Sequence, residues 1–343
     1  MILDPVSRIY GSLLERRARF YASGRIPSHR LPHPTVSVGN ITFGGTGKTP
    51  LVEWLARRFR FEGRRPAILS RGYRRRSRGV VVVSEGNGPL VDPDRGGDEP
   101  VELARRLPGV LVVVGESRVD AALAADRLGA DLYLLDDGYQ HLSVRRDANL
   151  LLLDGRDPFG GGHLPPRGRL REPLSALARA DAFVLTRIDR AEPPADVKRT
   201  LAAAGPKTPI FSARIRATGV RDENGAPVPT DALAERRILA VCGIANPGNF
   251  ASSLAELELT PEETLVFRDH QRYAESELDR IRRAAESNGC SWVVTTEKDA
   301  VKLWERLPLP VVAVRLSVEF VEPSFFPFVA SRVTPAGAGQ ETG

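Results

Sequence analysis

The pattern of apolar and polar residues predicts strands that alternate with helices along most of the chain. Short apolar runs without polar alternation, such as residues 132–135 and 182–185, are separated by segments with helical spacing, such as residues 118–128. Strands of this kind belong to parallel sheets whose two faces are covered by helices. The chain is therefore predicted to be an α/β protein with a mostly parallel sheet.

A glycine-rich turn after the first predicted strand indicates a phosphate-binding loop. The β-branched run at 35–38 leads into this turn, and an amphipathic helix follows directly. Backbone N–H groups in such a turn wrap a polyphosphate, with Lys48 along the β- and γ-phosphates and the Thr49 hydroxyl on Mg²⁺. The usual pattern begins with glycine where this chain has Thr42. Nucleotide contacts are predicted from Thr42, Phe43, Gly44, Gly45, Thr46, Gly47, Lys48 and Thr49.

Proline and glycine accumulate between residues 206 and 229, which predicts a domain boundary. We expect a basic arm (1–30), a P-loop-type domain (31–210), a smaller α/β domain (211–320) and a tail (321–343). Residues 211–217 and 315–320 alternate, so they are expected to pair as a two-stranded linker between the domains. The tail contains proline and glycine and is expected to be loosely ordered.

The composition narrows the possible partners. The 343 residues carry a net charge of +6, which favours an anionic partner. Nucleic acid is not predicted, because no DNA- or RNA-binding module is present. Cys242 and Cys290 lie far apart in apolar segments, as suits a reducing compartment such as the cytosol. The sequence implies no obligate protein partner.

The first thirty residues resemble a basic amphipathic helix. Apolar side chains recur at spacings of three and four between residues 3 and 21, and arginines flank them. Such a helix can lie in the interface of an anionic membrane. The same stripe equally suits packing on the domain that follows.

Adjacent acids follow a buried strand at Asp136 and Asp137. A carboxylate at the carboxyl end of a parallel strand is where P-loop enzymes hold Mg²⁺, and we expect Asp137 to be the main ligand with Asp136 second. The alternative is that one of them caps a helix.

A second acidic pair, Asp98 and Glu99, lies in a glycine-rich loop at the start of a predicted helix. Phosphoryl transfer to a hydroxyl needs a carboxylate near the acceptor oxygen, although acids also favour a first helical turn for its dipole. His270 lies in a polar turn of the second domain, where it could face the first. Residues 295–300 follow a strand and are either a further cleft loop or a capped helix start.

The phosphate loop is also similar to that of the partition-type dimeric ATPases, which would make the chain a nucleotide-driven switch. Those proteins carry a signature lysine directly before the glycine pair, and this chain has Phe43 there. The residue at this position therefore argues against that class.

Taken together, the motifs resemble the lipid A 4′-kinase (tetraacyldisaccharide 4′-kinase) family. The resemblance covers about residues 1–320, and Thr42 is no departure from this family. It rests on motifs at residues 37–40, 44–50, 70–73, 97–100, 136–141, 164–168, 170–173, 269–270 and 296–299.

The resemblance implies transfer of the ATP γ-phosphate to the 4′-hydroxyl of a tetraacylated glucosamine disaccharide 1-phosphate, giving lipid IVA. It implies two α/β/α domains with catalysis between them, where Asp98 takes the hydroxyl proton, His270 supports it and Lys48 stabilises phosphate charge. Thr49 and Asp137, with Asp136 and Glu99, are expected around Mg²⁺. Substrate contacts are expected from Asn40, Tyr73, Arg118, Gln140, His141, Arg171 and Glu172.

The family's N-terminal helix docks on the inner membrane, so the resemblance implies a cytoplasmic enzyme that is peripheral on its inner face. Its substrate would be the acylated disaccharide lipid. The alternatives that remain are a kinase of another hydroxyl acceptor and the nucleotide-driven switch.

Overall fold

The computed structural model describes residues 3–187 and 193–334, which fold into α-helices and one large β-sheet. The helices are α1 (Leu3–Ala22), α2 (Lys48–Phe61), α3 (Pro93–Gly96), α4 (Asp98–Arg106), α5 (Arg118–Arg127), α6 (Ala195–Ala204), α7 (Thr230–Ala234), α8 (Pro247–Glu256), α9 (Glu275–Ser287), α10 (Glu297–Leu303) and α11 (Phe325–Val333). Short 3₁₀ helices span Gly160–Gly162 and Leu174–Arg179.

The strands are β1 (Thr35–Asn40), β2 (Pro66–Ser70), β3 (Val81–Ser84), β4 (Leu111–Val114), β5 (Leu132–Asp136), β6 (Ala148–Asp154), β7 (Ala182–Thr186), β8 (Ile210–Arg221), β9 (Pro227–Val228), β10 (Ile238–Cys242), β11 (Glu263–Val266), β12 (Trp292–Thr296) and β13 (Val311–Phe320). Within the described residues they form one sheet in the order β11-β10-β12-β13-β8-β7-β6-β1-β5-β2-β4-β3, with β9 beside β8.

The sheet is mostly parallel, which confirms the predicted fold class. The exceptions are the pairs β3–β4, β8–β9 and β8–β13, which are antiparallel. Strand β3 is an edge strand, and the direction of an edge strand depends on its partner rather than on its own residues.

The predicted linker pairing is confirmed. Strand β13 runs antiparallel to β8 from Ala313 opposite Arg221 to Phe320 opposite Ala213, with an irregularity between Arg315 and Leu316. The sheet continues across the predicted boundary, because β8 also pairs in parallel with β7. We call β1–β7 the first half of the sheet and β10–β13 the second half, and the domain boundaries themselves stay a prediction.

Each buried strand supplies both faces of the core. In β5, Leu132 and Leu134 belong to the same apolar cluster as α2, whereas Tyr133 and Leu135 belong to the cluster that includes α5. Successive side chains of a strand point to opposite faces, so an unbroken apolar run needs a helix layer on each side. This arrangement explains why the strand sequences lack polar alternation.

The expectation of a loosely ordered tail is wrong for residues 325–333, which form α11. Phe325 and Val329 are fully buried in the cluster that includes α2. The Phe325 ring stacks on Phe320 with centroids 3.8 Å apart and meets Trp54 of α2 at 5.8 Å. The end of the chain therefore returns to the first half of the sheet. Residues 335–343 lie outside the described residues.

Helix α1 is docked on one side only. Ser7 Oγ donates hydrogen bonds to the carbonyls of Leu164 (3.1 Å) and Pro165 (3.0 Å). The opposite side exposes the apolar residues Val6 (56%), Ile9 (63%) and Leu13 (60%). Among the described residues, no helix combines the length and apolar character that crossing a membrane requires.

We predict that Phe325→Ala lowers the free energy of unfolding by about 3–5 kcal/mol, because it removes a buried ring and leaves a cavity. Phe61→Ala is the matched control, since Phe61 is 83% exposed, and it should change stability by less than about 0.5 kcal/mol. Urea denaturation followed by circular dichroism measures both. Equal effects would mean that α11 is not part of the core.

Candidate active site

A cavity of about 910 Å³ lies between the two halves of the sheet. The phosphate loop, the start of α4 and the end of β5 line it from the first half, and His270 lines it from the second. The cavity thus collects residues that are far apart in the sequence.

The predicted strand–loop–helix layout is present. Strand β1 ends at Asn40 and α2 begins at Lys48, with Gly47 at φ 88°. A Cβ on Gly47 would meet the tip of the Ile215 side chain of β8, and the positive φ strains any residue other than glycine here. The end of β7 holds the loop, because Thr186 Oγ1 donates to the Thr46 carbonyl at 2.9 Å.

Lys48 is held on the inner side of the loop. Its Nζ donates to Asn40 Oδ1 at 3.1 Å and lies 3.5 Å from Asp137 Oδ1. Asn40 is fully buried, and its Nδ2 donates to the Thr42 carbonyl at 2.8 Å. Neither Asn40 nor Thr42 is among the residues that line the cavity. Both support the loop from behind, and direct ligand contacts from them stay predictions.

Three carboxylates, those of Asp136, Asp137 and Glu99, interact electrostatically beside the loop. Burial raises the pKa of Asp136 to about 7, and the nearby charges of Glu99 and Asp137 raise it further than burial alone would. Burial also opposes ionisation of Asp137, but Lys48 and Arg171 outweigh it and hold its pKa below the usual value. Arg171 Nη1 donates to both Asp137 oxygens, at 3.0 and 2.8 Å.

The structure brings Asp98 and His270 together across the cavity. His270 Nδ1 lies 3.4 Å from Asp98 Oδ2. Burial raises the pKa of Asp98, but the hydrogen bond to His270 and the charge of Lys302 outweigh it, so the pKa lies below its usual value. The Tyr73 ring meets His270 edge-on at 4.9 Å. Arg74 Nη1 donates to the Asp269 carbonyl at 2.9 Å, so one loop of the first half holds the His270 loop.

Several residues of this site adopt the left-handed backbone region without being glycine. The φ angles are 60° at Arg74, 51° at Asp137 and 59° at His270. Such conformations cost roughly 1–3 kcal/mol each and concentrate at functional sites.

Six of the seven predicted substrate residues line the cavity; they are Tyr73, Arg118, Gln140, His141, Arg171 and Glu172. Burial lowers the pKa of Arg118 to about 10, which leaves it cationic at neutral pH. Burial and the neighbouring arginines lower the pKa of His141 to about 4, so this imidazole is neutral there. Glu172 is buried and pairs with Arg179 at 2.7 Å. The roles of these residues in binding stay predictions.

The roles of two residues at the site, Arg187 and Lys302, were missed from the sequence. Arg187 Nη1 donates to the Gly45 carbonyl (2.6 Å) and to Asp154 (2.7 Å), which fastens the phosphate loop from the end of β6. Lys302 of α10 pairs with Asp98 at 2.9 Å. In the sequence, the feature that could have indicated a role for Lys302 is its position three residues after Asp299, a spacing that suits an ion pair on a helix.

Of the two interpretations of residues 295–300, the capped helix start is confirmed. Thr296 Oγ1 accepts a hydrogen bond from the Asp299 N–H at 3.2 Å, and α10 begins at Glu297. Glu297 and Lys298 also line the cavity, so this helix start forms part of the cleft as well.

These features define an α/β protein with a glycine-rich loop after its first strand and a paired Asp and His in the same cavity. Comparisons with known proteins identify the particular family. The family model described as Tetraacyldisaccharide-1-P 4′-kinase (LpxK) matches residues 1–334. The chain belongs to this family.

Individual proteins that are similar to this chain carry the same name as the family. The chain is 45% identical over 294 residues to the tetraacyldisaccharide 4′-kinase of Anaeromyxobacter dehalogenans (strain 2CP-C), covering 84% of this chain and 77% of that protein. It is 42% identical over 323 residues to that of Syntrophotalea carbinolica, covering 93% and 88%. A crystal structure of LpxK from Aquifex aeolicus in complex with ATP superposes with a TM-score of 0.78 at 32% identity, covering 96% of this chain and 98% of that one.

We predict that Gly47→Ala weakens nucleotide binding at least about tenfold, because the new Cβ overlaps with Ile215 and φ is positive. Gly63→Ala is the matched control, since Gly63 also has a positive φ (79°) but open space around it. Titration with a fluorescent ATP analogue measures both affinities. If the two variants bind equally well, the close packing of the loop on β8 does not matter for binding.

Proposed function

We propose that this chain transfers the γ-phosphate of ATP to the 4′-hydroxyl of a tetraacylated glucosamine disaccharide 1-phosphate, giving lipid IVA. The observation that carries the proposal is that one cavity holds the phosphate loop, the Asp98–His270 pair and residues of α1. These would be the donor site, an acid–base pair and an amphipathic helix suited to a lipid acceptor. The names of its relatives support the same activity.

ATP would bind with its phosphates on residues 43–49 and Lys48 against the transferred group. Beyond the loop, the cavity continues along β8 and α8, where apolar Ile215, Ile244 and Phe250 alternate with the amides of Asn246 and Asn249. An apolar wall with a few polar groups suits a planar base. The nucleoside therefore fits on the side of the second half.

Mg²⁺ fits the residues beside the loop. Thr49, Asp136, Asp137 and Glu99 offer the hard oxygen donors that this ion prefers. Burial chiefly raises the pKa of Asp136, and the charges of Glu99 and Asp137 add to this shift, which a cation would relieve. When bound, the ion would neutralise charge on the phosphates. Among the described residues, no set of three or more His, Cys, Asp or Glu side chains forms a ready metal site. The substrate phosphates would therefore supply further ligands.

The transfer itself would use groups from both halves. The acceptor oxygen forms a bond to the γ-phosphorus while the bond to the bridging oxygen breaks and ADP leaves. Asp98 takes the hydroxyl proton, and its lowered pKa keeps it ionised for this task. His270 supports the carboxylate, and Lys48 stabilises the phosphate charge.

The acceptor would reach the cavity along α1. Tyr10, Leu14 and Arg17 of this helix line the cavity, while Ile9 and Leu13 are exposed on its outer side. Acyl chains leave a bilayer at a cost of about 0.8 kcal/mol per methylene, so the protein must come to the membrane. We place it on the cytoplasmic face of the inner membrane as a peripheral protein, with its arginines facing anionic lipid.

We predict that the purified chain phosphorylates the acylated disaccharide 1-phosphate in mixed micelles, with the phosphate at the 4′ position by NMR of the product. Asp98→Asn and His270→Ala should each lower kcat by about 10²–10⁴-fold, because proton transfer is impaired, while ATP still binds. The matched controls are Asp126→Asn and His33→Ala, since this His–Asp pair (3.0 Å) lies outside the cavity.

Normal turnover in both Asp98 and His270 variants would remove the proposed pair. Phosphorylation of a soluble alcohol in preference to the disaccharide would favour a different kinase. Nucleotide-dependent dimerisation with no acceptor at all would favour the switch.

We predict that the double variant Ile9→Glu/Leu13→Glu loses most of its binding to anionic liposomes, because two exposed apolar side chains of α1 become charged. Leu123→Glu is the control, since Leu123 is 42% exposed on α5, away from α1. Liposome flotation at fixed ionic strength measures the bound fraction. Unchanged binding by the double variant would leave α1 with its packing role only.

A further inference from the structure

A lysine of the second half is bonded to the carboxylate that would act as the base. Lys302 Nζ donates to Asp98 Oδ2 at 2.9 Å and to the Gln271 carbonyl at 2.8 Å. Its side chain is 9% exposed, and Lys302 is not among the residues that line the cavity. Its connection to the cavity therefore runs through Asp98.

The lysine is itself held by a buried acid. Asp299 is fully buried, and its Oδ2 accepts from the Gly243 N–H at 2.8 Å and from Thr296 Oγ1 at 2.7 Å. Both bonds are made to Oδ2, and Oδ1 is the oxygen on the side of Lys302, whose Nζ lies 3.7 Å away. A buried ammonium needs such partners because burial without them is costly. Asp299 is thus an ion-pair neighbour of the ammonium that reaches Asp98.

The two oxygens of Asp98 are used differently. Both Lys302 and His270 contact Oδ2, at 2.9 and 3.4 Å. Among the residues that the structure describes, none donates a hydrogen bond to Oδ1, although Asp98 lines the cavity. One oxygen is anchored, and the other receives no hydrogen bond from the described residues.

The helices that carry these residues are in ionic contact at both ends. Asp98 begins α4 and pairs with Lys302 near the end of α10, while Arg106 ends α4 and pairs with Glu297 at the start of α10, at 2.7 Å. The helices therefore pack antiparallel across the two halves. The position of the carboxylate is tied to the second half at the point where the two halves meet.

We propose that Lys302 is a positioning residue for this reaction: it anchors Asp98 Oδ2 so that Oδ1 faces the acceptor hydroxyl. This inference rests on the proposed function, because it assigns Lys302 a part in the same transfer. Lysine suits the role because its ammonium donates up to three hydrogen bonds, here to Asp98 and the Gln271 carbonyl beside the charge of Asp299. Arginine would keep the charge but with a larger, planar group.

The first test is the effect on turnover. Lys302→Met should lower kcat about 30–100-fold and change the KM for ATP less than about threefold, because Asp98 and not the nucleotide site loses its anchor. Lys302→Arg should recover part of the loss. Lys302→Gln keeps a donor for the Gln271 carbonyl and serves if the Met variant does not fold, as judged by thermal unfolding.

A double-mutant cycle separates positioning from general destabilisation. In an Asp98→Asn background, Lys302→Met should lower kcat less than about threefold further, because its target is already altered. Arg64→Met is the comparison, since Arg64 is a half-buried cation that pairs with Asp131 at 3.0 Å, and neither residue lines the cavity or contacts Asp98. Its effect should multiply with that of Asp98→Asn. If the losses of kcat caused by Lys302→Met and Asp98→Asn simply multiply, the proposal is overturned. An unchanged kcat in Lys302→Met alone would also overturn it.

A readout that needs no substrate keeps this inference separate from the proposed function. In protein labelled at histidine, the His270 imidazole resonance, assigned with His270→Ala, should shift in Lys302→Met and much less in Lys302→Arg. An unmoved resonance in Lys302→Met would overturn the positioning role whatever the acceptor is. If the wild type fails to phosphorylate the disaccharide while the resonance shifts, the proposed function is wrong and the anchoring of Asp98 stands.

Discussion

The antiparallel pairing of β8 with β13 joins the two halves of the sheet and determines where the cavity forms. Strand β8 continues the parallel order beyond β7, and β13 begins the parallel order of the second half. The pairing passes directly beside the phosphate loop, because Ile215 of β8 lies against Gly47. Val314 and Leu316 of β13 line the same cavity. A ladder of backbone hydrogen bonds thus sets the distance between the nucleotide loop and the second half.

Buried ion pairs then favour one arrangement of the two halves of the sheet. Arg106 pairs with Glu53, Glu102 and Glu297, and Arg315 pairs with Glu53 and Glu297. Burial raises the pKa of Glu102 to about 7 and that of Glu297 well above its usual value, and the charge of Arg106 opposes both shifts. Losing one partner leaves an uncompensated buried charge, which is far more costly than losing an exposed pair. The α4–α10 contact, and with it Asp98 beside His270, follows from this requirement.

Much of the fold could be predicted because the signals are local. Apolar runs identified the central strands, and the alternating segments at 211–217 and 315–320 identified the linker pair. The sequence was a poor guide where the structure of a segment depends on the segment it packs against. Strand β3 has an ordinary valine run, and its direction is set by β4. Helix α11 carries Phe325 and Val329 close to prolines. Its apolar face can be recognised as part of the core only once its packing on α2 is known. The same applies to Lys302, whose sequence surroundings do not reveal a partner 204 positions away.

The sequence by itself determined the phosphate loop, because glycines, Lys48 and Thr49 act over a few consecutive residues whose backbone conformation is a local property. It also determined the adjacent carboxylates at the end of β5 and the apolar stripe of α1. Only the tertiary structure decided that Asp98 meets His270, that Asn40 is buried behind Lys48, and that α1 is docked on one side and exposed on the other. These are distances between segments far apart in the chain, and they are set by strand pairing, helix packing and buried charge together.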